Sequence, residues 1–462
     1  MNGLVKGGLA LGGLVLGLGA LRRALNPTPR YAPWEKPPYG EFEKKVLIVG
    51  GGFGGYTAAT DICKLIGKRD DVGVLVIARD NFFTFWPMVP GIVSSDIDAR
   101  NVAQPLRRAL ILAGASFRRA KVKGIDTNKK VVEADGGLEF PYDQLIISLG
   151  GQPNFFGIPG VEEHSMTMRG VEDAVHVRNR VIERFEEVSL IRDEVPESKL
   201  TFVVIGGGAT GVEVASEIHA LVHEHLAPDY PNIDPYRVRI YLIEALPNIL
   251  PELDPALRRA ARARLLNERI EVLTGAMAEE ITGDCVKLKG GKQIGTENVI
   301  WTAGNRPNQT VQDLGLPHDE RTGIKVDLTL RVEGHSDVWS VGDCAAVQDV
   351  HQEVAIVPPT AQAAIQQGHL VARNVLKTID GDGALGEFEY KPLGQLVELG
   401  SNFAVNEVMG VRFTGMFAAV FWRMTYLVRL NSPQSKVRVA ADWIVGLFLR
   451  PAVTQIRGTS EE

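Results

Sequence analysis

The chain has 462 residues, of which 45% are hydrophobic and 23% charged, and its formal net charge is −6. This size and composition are typical of a globular protein of two or three domains. The negative charge argues against a general nucleic-acid-binding protein. Cys63, Cys285 and Cys344 are far apart in sequence. Their spacing argues against a disulfide framework, a zinc site and a redox-active dithiol.

The N-terminal residues differ from the rest of the chain. Fifteen uncharged, Gly/Leu-rich residues run from Gly7 to Leu21, and a proline-rich linker follows from Asn26 to Tyr39. As a helix the run would span about 22 Å, short of a ~30 Å hydrocarbon core. It fits a short membrane anchor, a signal peptide, or an interfacial or disordered tail. For an anchor, Arg22, Arg23 and Arg30 predict a body on the cytoplasmic side of the cell membrane.

The first structural signal is a strand, a glycine turn and a helix. Val46 to Val49 predict a buried parallel strand, and Tyr56 to Ile66 have helical spacing. The glycines between them fit G-x-G-x-x-G, which permits a tight turn, close approach of a pyrophosphate and close helix–strand packing. A turn without any ligand is the alternative. The residues predicted to bind the dinucleotide are Gly50, Gly52, Phe53, Gly54 and Gly55.

The next strand, Val72 to Ala78, departs from the usual pattern. A carboxylate near its end is expected to hold the adenosine ribose hydroxyls, but Ala78 occupies that place. Asp80 either substitutes for it or is a surface turn residue. Further on, Ala120 to Asp143 predict a β-meander, and Tyr142 to Gly150 predict another buried strand.

The glycine pattern returns 156 residues later. Thr201 to Ile205 predict a strand, and a helix is expected after the turn. The following strand, Arg239 to Ile243, ends on Glu244, which is the predicted ribose carboxylate. It should favour NADH over NADPH, because a 2′-phosphate would meet a like charge. The glycines of this second predicted dinucleotide site are Gly206, Gly208 and Gly211.

A third signature follows the predicted strand Val338 to Val341. Gly342 and Asp343 come next and are predicted to begin a helix. The Asp343 carboxylate then either takes a flavin ribityl hydroxyl or simply caps the helix, and the two roles are compatible. The order of the three motifs assigns FAD to the first loop and the nicotinamide nucleotide to the second.

Together these motifs resemble the two-dinucleotide-binding flavoproteins and, more narrowly, the type II NADH:quinone oxidoreductases, which do not pump protons. The resemblance runs from about Lys44 to Arg457. Its narrower evidence lies in Asn154–His164, Glu172–Ala174, Leu242–Ala245, Trp301–Gly304 and Pro358–Gly368.

The resemblance implies a quinone pocket beside a helix that starts near Thr360. Gln362, Gln366 and Gln367 would line this pocket, and Gln362 and Gln366 fall one turn apart on one helix face. Amides can donate to quinone carbonyls without bringing charge into an apolar slot. The alternative is that these glutamines are solvated.

The resemblance also assigns three further residues. Glu213 matches the family's acid near the flavin and the nicotinamide, with a role in electrostatics or proton delivery. An acid near a helix start that is favoured by the helix dipole would look the same. Ala361 and Gly304 complete the predicted cofactor-binding residues.

The C-terminal region is predicted to dock on a bilayer. Gly394 to Leu399 and Ala404 to Val408 have strand-like patterns, and two apolar, aromatic segments follow at Gly415 to Leu430 and Arg438 to Arg450. Flanking arginines favour helices that lie in the membrane interface without crossing it. A homodimer face or core packing is the alternative.

We therefore predict an α/β fold with two Rossmann-like dinucleotide-binding domains and a C-terminal membrane-associating α+β region. The rival hypotheses are sulfide:quinone oxidoreductase, which needs reactive cysteines, and a nucleotide-binding assembly subunit with little turnover. The predicted segments are an apolar N-terminal segment and linker (1–43), an FAD domain in two parts (44–165 and 311–386), an NADH domain (166–310) and the docking region (387–462).

Overall fold

The computed structural model describes residues 37–192, 194–351 and 356–455. The apolar run from Gly7 to Leu21 and the arginines that follow it lie outside the described residues. Within the described ranges, no helix has both the length and the apolar character that membrane crossing requires.

The strands and helices alternate along most of the chain. The strands are β1 Lys44–Val49, β2 Val72–Ala78, β3 Phe82–Thr84, β4 Ala103–Pro105, β5 Ser116–Arg119, β6 Val122–Asp126, β7 Val131–Ala134, β8 Leu138–Pro141, β9 Gln144–Ile147, β10 Gly151–Pro153, β11 Ser165–Thr167, β12 Thr201–Ile205, β13 Arg239–Glu244, β14 Ile270–Thr274, β15 Ala278–Ile281, β16 Cys285–Leu288, β17 Gln293–Gly295, β18 Asn298–Trp301, β19 Asn305–Pro307, β20 His318–Asp319, β21 Gly323–Lys325, β22 Val338–Ser340, β23 Ala345–Ala346, β24 Gly394–Glu398, β25 Ala404–Val408 and β26 Val411–Gly415. The α-helices are α1 Phe53–Ile66, α2 Gly91–Ser94, α3 Ala99–Val102, α4 Leu106–Ala113, α5 Val161–His164, α6 Val171–Ser189, α7 Ala209–Ala220, α8 Pro255–Asn267, α9 Thr310–Asp313, α10 Ala361–Asp380, α11 Met416–Arg429 and α12 Pro433–Gly446.

The first glycine motif lies in a five-stranded parallel sheet with strand order β22-β9-β1-β2-β5. Val46 to Val49 are at most 1% exposed because their unbroken apolar run covers both faces of the sheet. Helix α10 packs closely on α1, since a Cβ placed at Gly368 would lie only 2.8 Å from the carbonyl oxygen of Gly54. The strand order shows that β22 (residues 338–340), late in the chain, belongs to the same sheet as β1.

The second glycine motif lies in another five-stranded parallel sheet, with strand order β11-β18-β12-β13-β14. Its central strand, Thr201–Ile205, is buried along its whole length. The strands β10 and β19 pair antiparallel where the chain passes between the two sheets. The predicted β-meander is confirmed as the antiparallel sheet β6-β7-β8.

The C-terminal region is the antiparallel sheet β24-β25-β26 followed by α11 and α12. The predicted strands and the helix near Gly415 are confirmed. The second helix was predicted at Arg438 to Arg450 but runs from Pro433 to Gly446. It begins earlier because Ser432 caps it, its hydroxyl accepting from the N–H of Ser435, and proline is well suited to a first helical position.

Candidate active site

The two glycine turns share one geometry. Gly50 and Gly206 have φ values of +103° and +117°, in the region that favours glycine. A Cβ built at Gly52 or Gly208 would have no atom within 4 Å, so the backbone there faces open space. Each of these two residues is also the N-cap of the helix that follows, α1 or α7. Both turns therefore offer unpaired helix N–H groups to an approaching anion.

The third glycine of each motif sets the distance between helix and turn. A Cβ at Gly55 would overlap the carbonyl oxygen of Gly50, and one at Gly211 would overlap that of Gly206. The N–H of Gly55 also donates to Ser148 Oγ at 3.0 Å, which ties the turn to the chain beyond β9.

The residues between the second and third glycines face the protein interior. The ring of Phe53 packs edge-on against Phe83, with ring centroids 4.8 Å apart. A Cβ at Gly54 would lie 2.9 Å from Val341 Cγ2, so this position accepts only a very small residue.

Glu244 is held against the second glycine turn. Its Oε2 accepts from the N–H of Gly207 at 2.6 Å, and its Oε1 accepts from the N–H of Leu246 at 2.7 Å. The carboxylate thus lies at the end of β13 beside the turn, where a ribose carboxylate is needed.

The first turn has an apolar side chain in the corresponding place. A Cβ built at Gly51 would overlap Leu106 Cδ2 and lie 3.4 Å from Ala78 Cβ. Asp80 is instead paired with Arg79 at 3.1 Å, and its side chain is 42% exposed. The role of Leu106 was not predicted from the sequence, because the apolar pattern of α4 does not show that this side chain covers the first glycine turn.

The prediction that a helix follows Gly342 and Asp343 was wrong. Gly342 to Cys344 form a single 3-10 turn, after which Ala345–Ala346 pair with β21. An aspartate capping signal does not make a helix when the residues after it are recruited into a sheet. The helix next to this turn is α10, because the N–H of Gly342 donates to Gln367 Oε1 at 2.6 Å.

Asp343 lies in a polar, largely buried environment. Its Oδ2 accepts from Asn305 Nδ2 at 2.9 Å, and Arg169 donates to the other end of the same amide. Burial raises the pKa of the Asp343 carboxyl, while the Asn305 hydrogen bond and the charge of Arg169 oppose that shift. A cavity of about 210 Å³ adjoins it, lined also by Gly342, Thr360 and Gln367.

Helix α10 begins with a cap at Thr360. The Thr360 Oγ1 accepts from the N–H of Ala363 at 3.2 Å, and Ala361 is the first helical residue. Gln362 and Gln366 follow on one face, one turn apart, as predicted. Gln367 is only 3% exposed, so it holds the Gly342 turn and is not solvated.

The two glutamine amides clamp the segment at residues 391–394. Gln362 donates to the carbonyl oxygen of Gly394 at 2.6 Å and accepts from the N–H of Leu393 at 3.1 Å. Gln366 donates to the carbonyl oxygen of Lys391 at 2.9 Å and accepts from the N–H of the same residue at 3.1 Å. Each amide has a second N–H that these bonds do not use.

Glu213 is buried near the start of α7. It is 8% exposed, and one of its carboxyl oxygens accepts from the N–H of Glu398 at 3.3 Å. Burial raises the pKa of Glu213 well above its usual range, and the nearby charge of Glu398 adds to this effect.

Gly304 follows β18, and a Cβ there would lie 2.6 Å from Phe156 Cζ. The position therefore requires glycine for packing as well as for its φ of +72°.

Three further acids close to Glu213 were not predicted from the sequence. Asp96, Glu217 and Glu398 come from separate parts of the chain and interact electrostatically with one another. Only Glu217 had a local signal, since it lies one turn from Glu213 on an otherwise apolar helix.

The cysteines do not form a redox pair. Cys63 and Cys344 are buried, Cys285 is partly buried, and none of the three forms a disulfide. Burial raises the pKa of Cys344. No cluster of His, Cys, Asp and Glu suited to a metal ion occurs in the parts of the chain that the structure describes.

Comparisons with known proteins agree with this geometry. Residues 44–368 match the pyridine nucleotide-disulphide oxidoreductase family. The chain is 31% identical to the probable NADH dehydrogenase of Dictyostelium discoideum over 411 residues, covering 87% of this chain and 89% of that protein. It is 30% identical to the type II NADH:quinone oxidoreductase NdhA of Mycobacterium tuberculosis, covering 90% of each chain. The structure of NDH2 from Plasmodium falciparum in complex with NADH has a similar fold, with a TM-score of 0.80, 20% identity, and coverage of 89% of this chain and 100% of that one.

Two parallel-sheet domains that carry equivalent glycine turns define the class of pyridine nucleotide-dependent flavoprotein oxidoreductases. Within that class, similarity over most of its length shows that the chain belongs to the type II NADH:quinone oxidoreductase family.

Proposed function

We propose that this chain oxidises NADH at the second glycine turn and passes two electrons to a membrane quinone, with FAD held by the first turn. Its family membership makes it an NADH-dependent quinone oxidoreductase. One observation carries the assignment of cofactors to turns. The two turns have the same backbone geometry, but only the second has a carboxylate, Glu244, beside it.

The residues around the first turn fit FAD at the phosphates. The open face at Gly52 and the N-terminus of α1 suit a pyrophosphate, and Asp343 lies beside a cavity where it can accept from a hydroxyl. Bound FAD supplies the two-electron chemistry between the hydride donor and the quinone. At the ribose end, Leu106 and Ala78 offer apolar contacts, which leaves Asp80 as the acid nearest in sequence.

The second turn is the proposed NADH site. Gly206, Gly208 and Gly211 provide the tight turn, the open backbone and the close helix, and Glu244 is oriented by two backbone N–H groups. Its charge favours a free 2′-hydroxyl and repels a 2′-phosphate, so NADH is preferred over NADPH.

Helix α10 forms one wall of the proposed quinone site. The unused N–H of Gln362 or Gln366 can donate to a quinone carbonyl, while Gln367 fixes the adjacent Gly342 turn. Reduction of a quinone to a quinol takes two electrons and two protons. Hydride brings both electrons and one proton, and the second proton comes from solvent. Glu213, a buried carboxyl whose pKa is raised by burial, is the proposed donor on the protein side.

The last two helices and the turn at residues 447–449 form the proposed membrane-docking face. Their outward side chains are large and apolar, and several are more than half exposed, which is unusual for a protein surface. A lipid-soluble quinone would enter from this side, and the same face serves a homodimer as the alternative. The cytoplasmic orientation follows from the arginines after the N-terminal apolar run. The most exposed of these side chains are Met416, Phe417, Val428, Ile444, Leu447, Phe448 and Leu449.

The proposal is tested on detergent-extracted full-length protein. We expect a bound flavin whose visible absorbance is bleached by NADH and restored by a quinone analogue such as decylubiquinone. A preparation without flavin absorbance, or one that NADH does not bleach, would contradict the oxidoreductase and favour a nucleotide-binding assembly subunit. A flavin that sulfide bleaches and NADH does not would favour sulfide:quinone oxidoreductase.

A further inference from the structure

Four acidic side chains meet where the two nucleotide-binding sheets and the C-terminal region come together. We call Asp96, Glu213, Glu217 and Glu398 the buried acid cluster. Asp96 follows α2, Glu213 and Glu217 lie one turn apart on α7, and Glu398 ends β24. Glu213 and Glu217 are 8% and 5% exposed, and the side chains of Glu398 and Asp96 are 12% and 23% exposed.

Ion pairs to the cluster come from two side chains in the described part of the chain. Arg423 Nε lies 3.2 Å from Glu398 Oε1, and His225 Nε2 lies 3.4 Å from Asp96 Oδ1. Four buried carboxylates against one guanidinium and one imidazole cannot all be ionised, because isolated buried charge is strongly disfavoured. Some of the carboxyl groups therefore hold protons at neutral pH.

The pKa shifts have opposite directions within the cluster. Burial raises the pKa of Glu213 and of Glu217 well above the usual range, and it raises that of Glu398 to about 7. The pKa of Asp96 is lowered in spite of its burial, because the hydrogen bond from Ser401 and the nearby His225 and Arg423 outweigh the desolvation. Proton transfer requires a protonated group next to an unprotonated one.

Three polar atoms of Glu217 and His225 have no hydrogen-bond partner among the described residues. They are Glu217 Oε2 and both ring nitrogens of His225, and all three are buried. Buried polar atoms of this kind are generally hydrogen-bonded to ordered water. Glu217 lies within electrostatic range of Asp96, Glu398 and Glu213, so water at its free oxygen would connect the outer and inner acids.

The cluster adjoins the proposed quinone site through β24. The N–H of Glu398 at the end of this strand donates to Glu213, and the carbonyl oxygen of Gly394 at its start accepts from Gln362. On the other side, burial and the nearby Glu213 carboxyl raise the pKa of Tyr426. The ring of Tyr426 lies 6.0 Å from that of Phe85. Asp96, the most exposed member, is the end nearest solvent.

We propose that Asp96, Glu217 and Glu398, with His225, form a buried path that returns a proton from solvent to Glu213 after each turnover. The path rests on the proposed function, since it delivers the one solvent proton that quinol formation needs. Per turnover, NADH, one proton and a quinone give NAD⁺ and a quinol. Glu217, Glu398 and Asp96 act through Glu213 and are not themselves catalytic residues.

The test is Glu217→Gln in the detergent-purified holoenzyme, followed by stopped-flow absorbance. Glutamine keeps the shape but cannot carry the proton. We expect flavin bleaching by NADH to change by less than about twofold, while reoxidation by decylubiquinone slows at least about tenfold. The loss should be larger at about pH 8 than at about pH 6, where protons are abundant. Reoxidation by ferricyanide, which accepts electrons alone, should match the wild type.

Two further variants make the result specific. Glu217→Asp restores a titrating group and should recover part of the quinone rate, whereas His225→Gln should reproduce the selective loss if Glu217→Gln does not fold. Glu268→Gln is the matched control, because Glu268 is a buried acid held instead by Ser216 and Arg264. Its quinone rate should stay at the wild-type level.

The path is overturned if Glu217→Gln and His225→Gln leave the quinone-to-ferricyanide rate ratio and its pH profile unchanged. It is also overturned if both acceptors slow equally. Failure of the proposed function would look different, because the wild-type flavin itself would then not be bleached by NADH.

Discussion

Glu244 orders the second glycine turn, and in the proposed NADH site its carboxylate faces the ribose. The variant Glu244→Gln removes the charge and keeps one oxygen that can accept from a backbone N–H, so one of the two hydrogen bonds is lost as well. We therefore expect kcat/KM for NADH to fall about tenfold and the NADPH/NADH ratio to rise, because the repulsion of a 2′-phosphate is lost. Steady-state kinetics with both nucleotides measure this.

The control for Glu244 is Glu271→Gln on the neighbouring strand β14. Glu271 is exposed and faces away from the turn, opposite Tyr241 in the strand register. Its substitution should leave the nucleotide preference unchanged. An unchanged preference in Glu244→Gln would mean that Glu244 does not contact the ribose.

Glu268 makes the stability of the protein depend on pH. It is 6% exposed, and burial raises its pKa from an ordinary 4.5 to about 7. Between these values the folded state binds more protons than the unfolded state. The contribution is complete below the unfolded-state pKa and is lost as the pH rises towards the folded-state pKa, by about 3 kcal/mol.

The corresponding prediction concerns Glu268→Gln. The variant keeps the hydrogen bond to Ser216 and cannot ionise, so its free energy of unfolding should fall less between about pH 5 and pH 8 than that of the wild type. Urea unfolding at several pH values measures the difference, with the exposed Glu320→Gln as control. Parallel stability curves for Glu268→Gln and the wild type would contradict the assignment.

At the scale of elements, the second glycine of each turn separates the two cofactor sites. Gly52 and Gly208 have φ values of −74° and −72°, and a Cβ at either would meet no atom within 4 Å. Alanine should therefore be tolerated by the fold and obstruct only a phosphate. Gly52→Ala should be purified with little flavin, whereas Gly208→Ala should keep its flavin and bind NADH at least about tenfold more weakly.

The two glycine variants control for each other. Thermal unfolding of the apoproteins should give equal midpoints, and flavin absorbance and NADH titration should then separate them. If Gly208→Ala lost the flavin and Gly52→Ala kept it, the cofactors would be assigned to the wrong turns.

Elements with a strong local signal could be predicted from the sequence. The strands β2 and β12 begin and end where their apolar runs predict, because both faces of a parallel sheet are buried. The helix after Gly342 was wrong because a capping residue alone carried that prediction. The predicted cofactor-binding residues stay predictions, although Glu244 and Asp343 lie beside a glycine turn and a cavity as expected.

The contacts between distant segments could not be predicted. The amide of Gln362 is held by Gly394, and Glu213 is held by Glu398 far away in sequence. No periodicity links such positions, because they meet only when the C-terminal sheet packs against α7 and α10. The same limit applies to Leu106, whose place over Gly51 depends on how α4 docks.

At the scale of the whole molecule, α11, α12 and the turn at residues 447–449 present apolar side chains in places where burial would be expected. Phe417 is 70% exposed and Phe448 82% exposed. Moving such side chains from water into a bilayer interface stabilises binding by about 1.5–3 kcal/mol each, whereas aspartate at the same place opposes it. The double variant Phe417→Asp/Phe448→Asp should therefore reduce the membrane partition coefficient at least about tenfold.

Co-sedimentation with phospholipid vesicles measures this loss. The control is Leu190→Asp, because Leu190 is 81% exposed but follows α6 and belongs to neither of the last two helices. Its vesicle binding should equal that of the wild type. Sedimentation velocity distinguishes the alternative, since a face that serves a homodimer would give a monomer in the double variant. Unchanged vesicle binding together with a loss of dimer would show that this surface contacts a second copy of the chain. A bilayer contact requires that the apolar side chains face lipid, whereas a dimer contact does not.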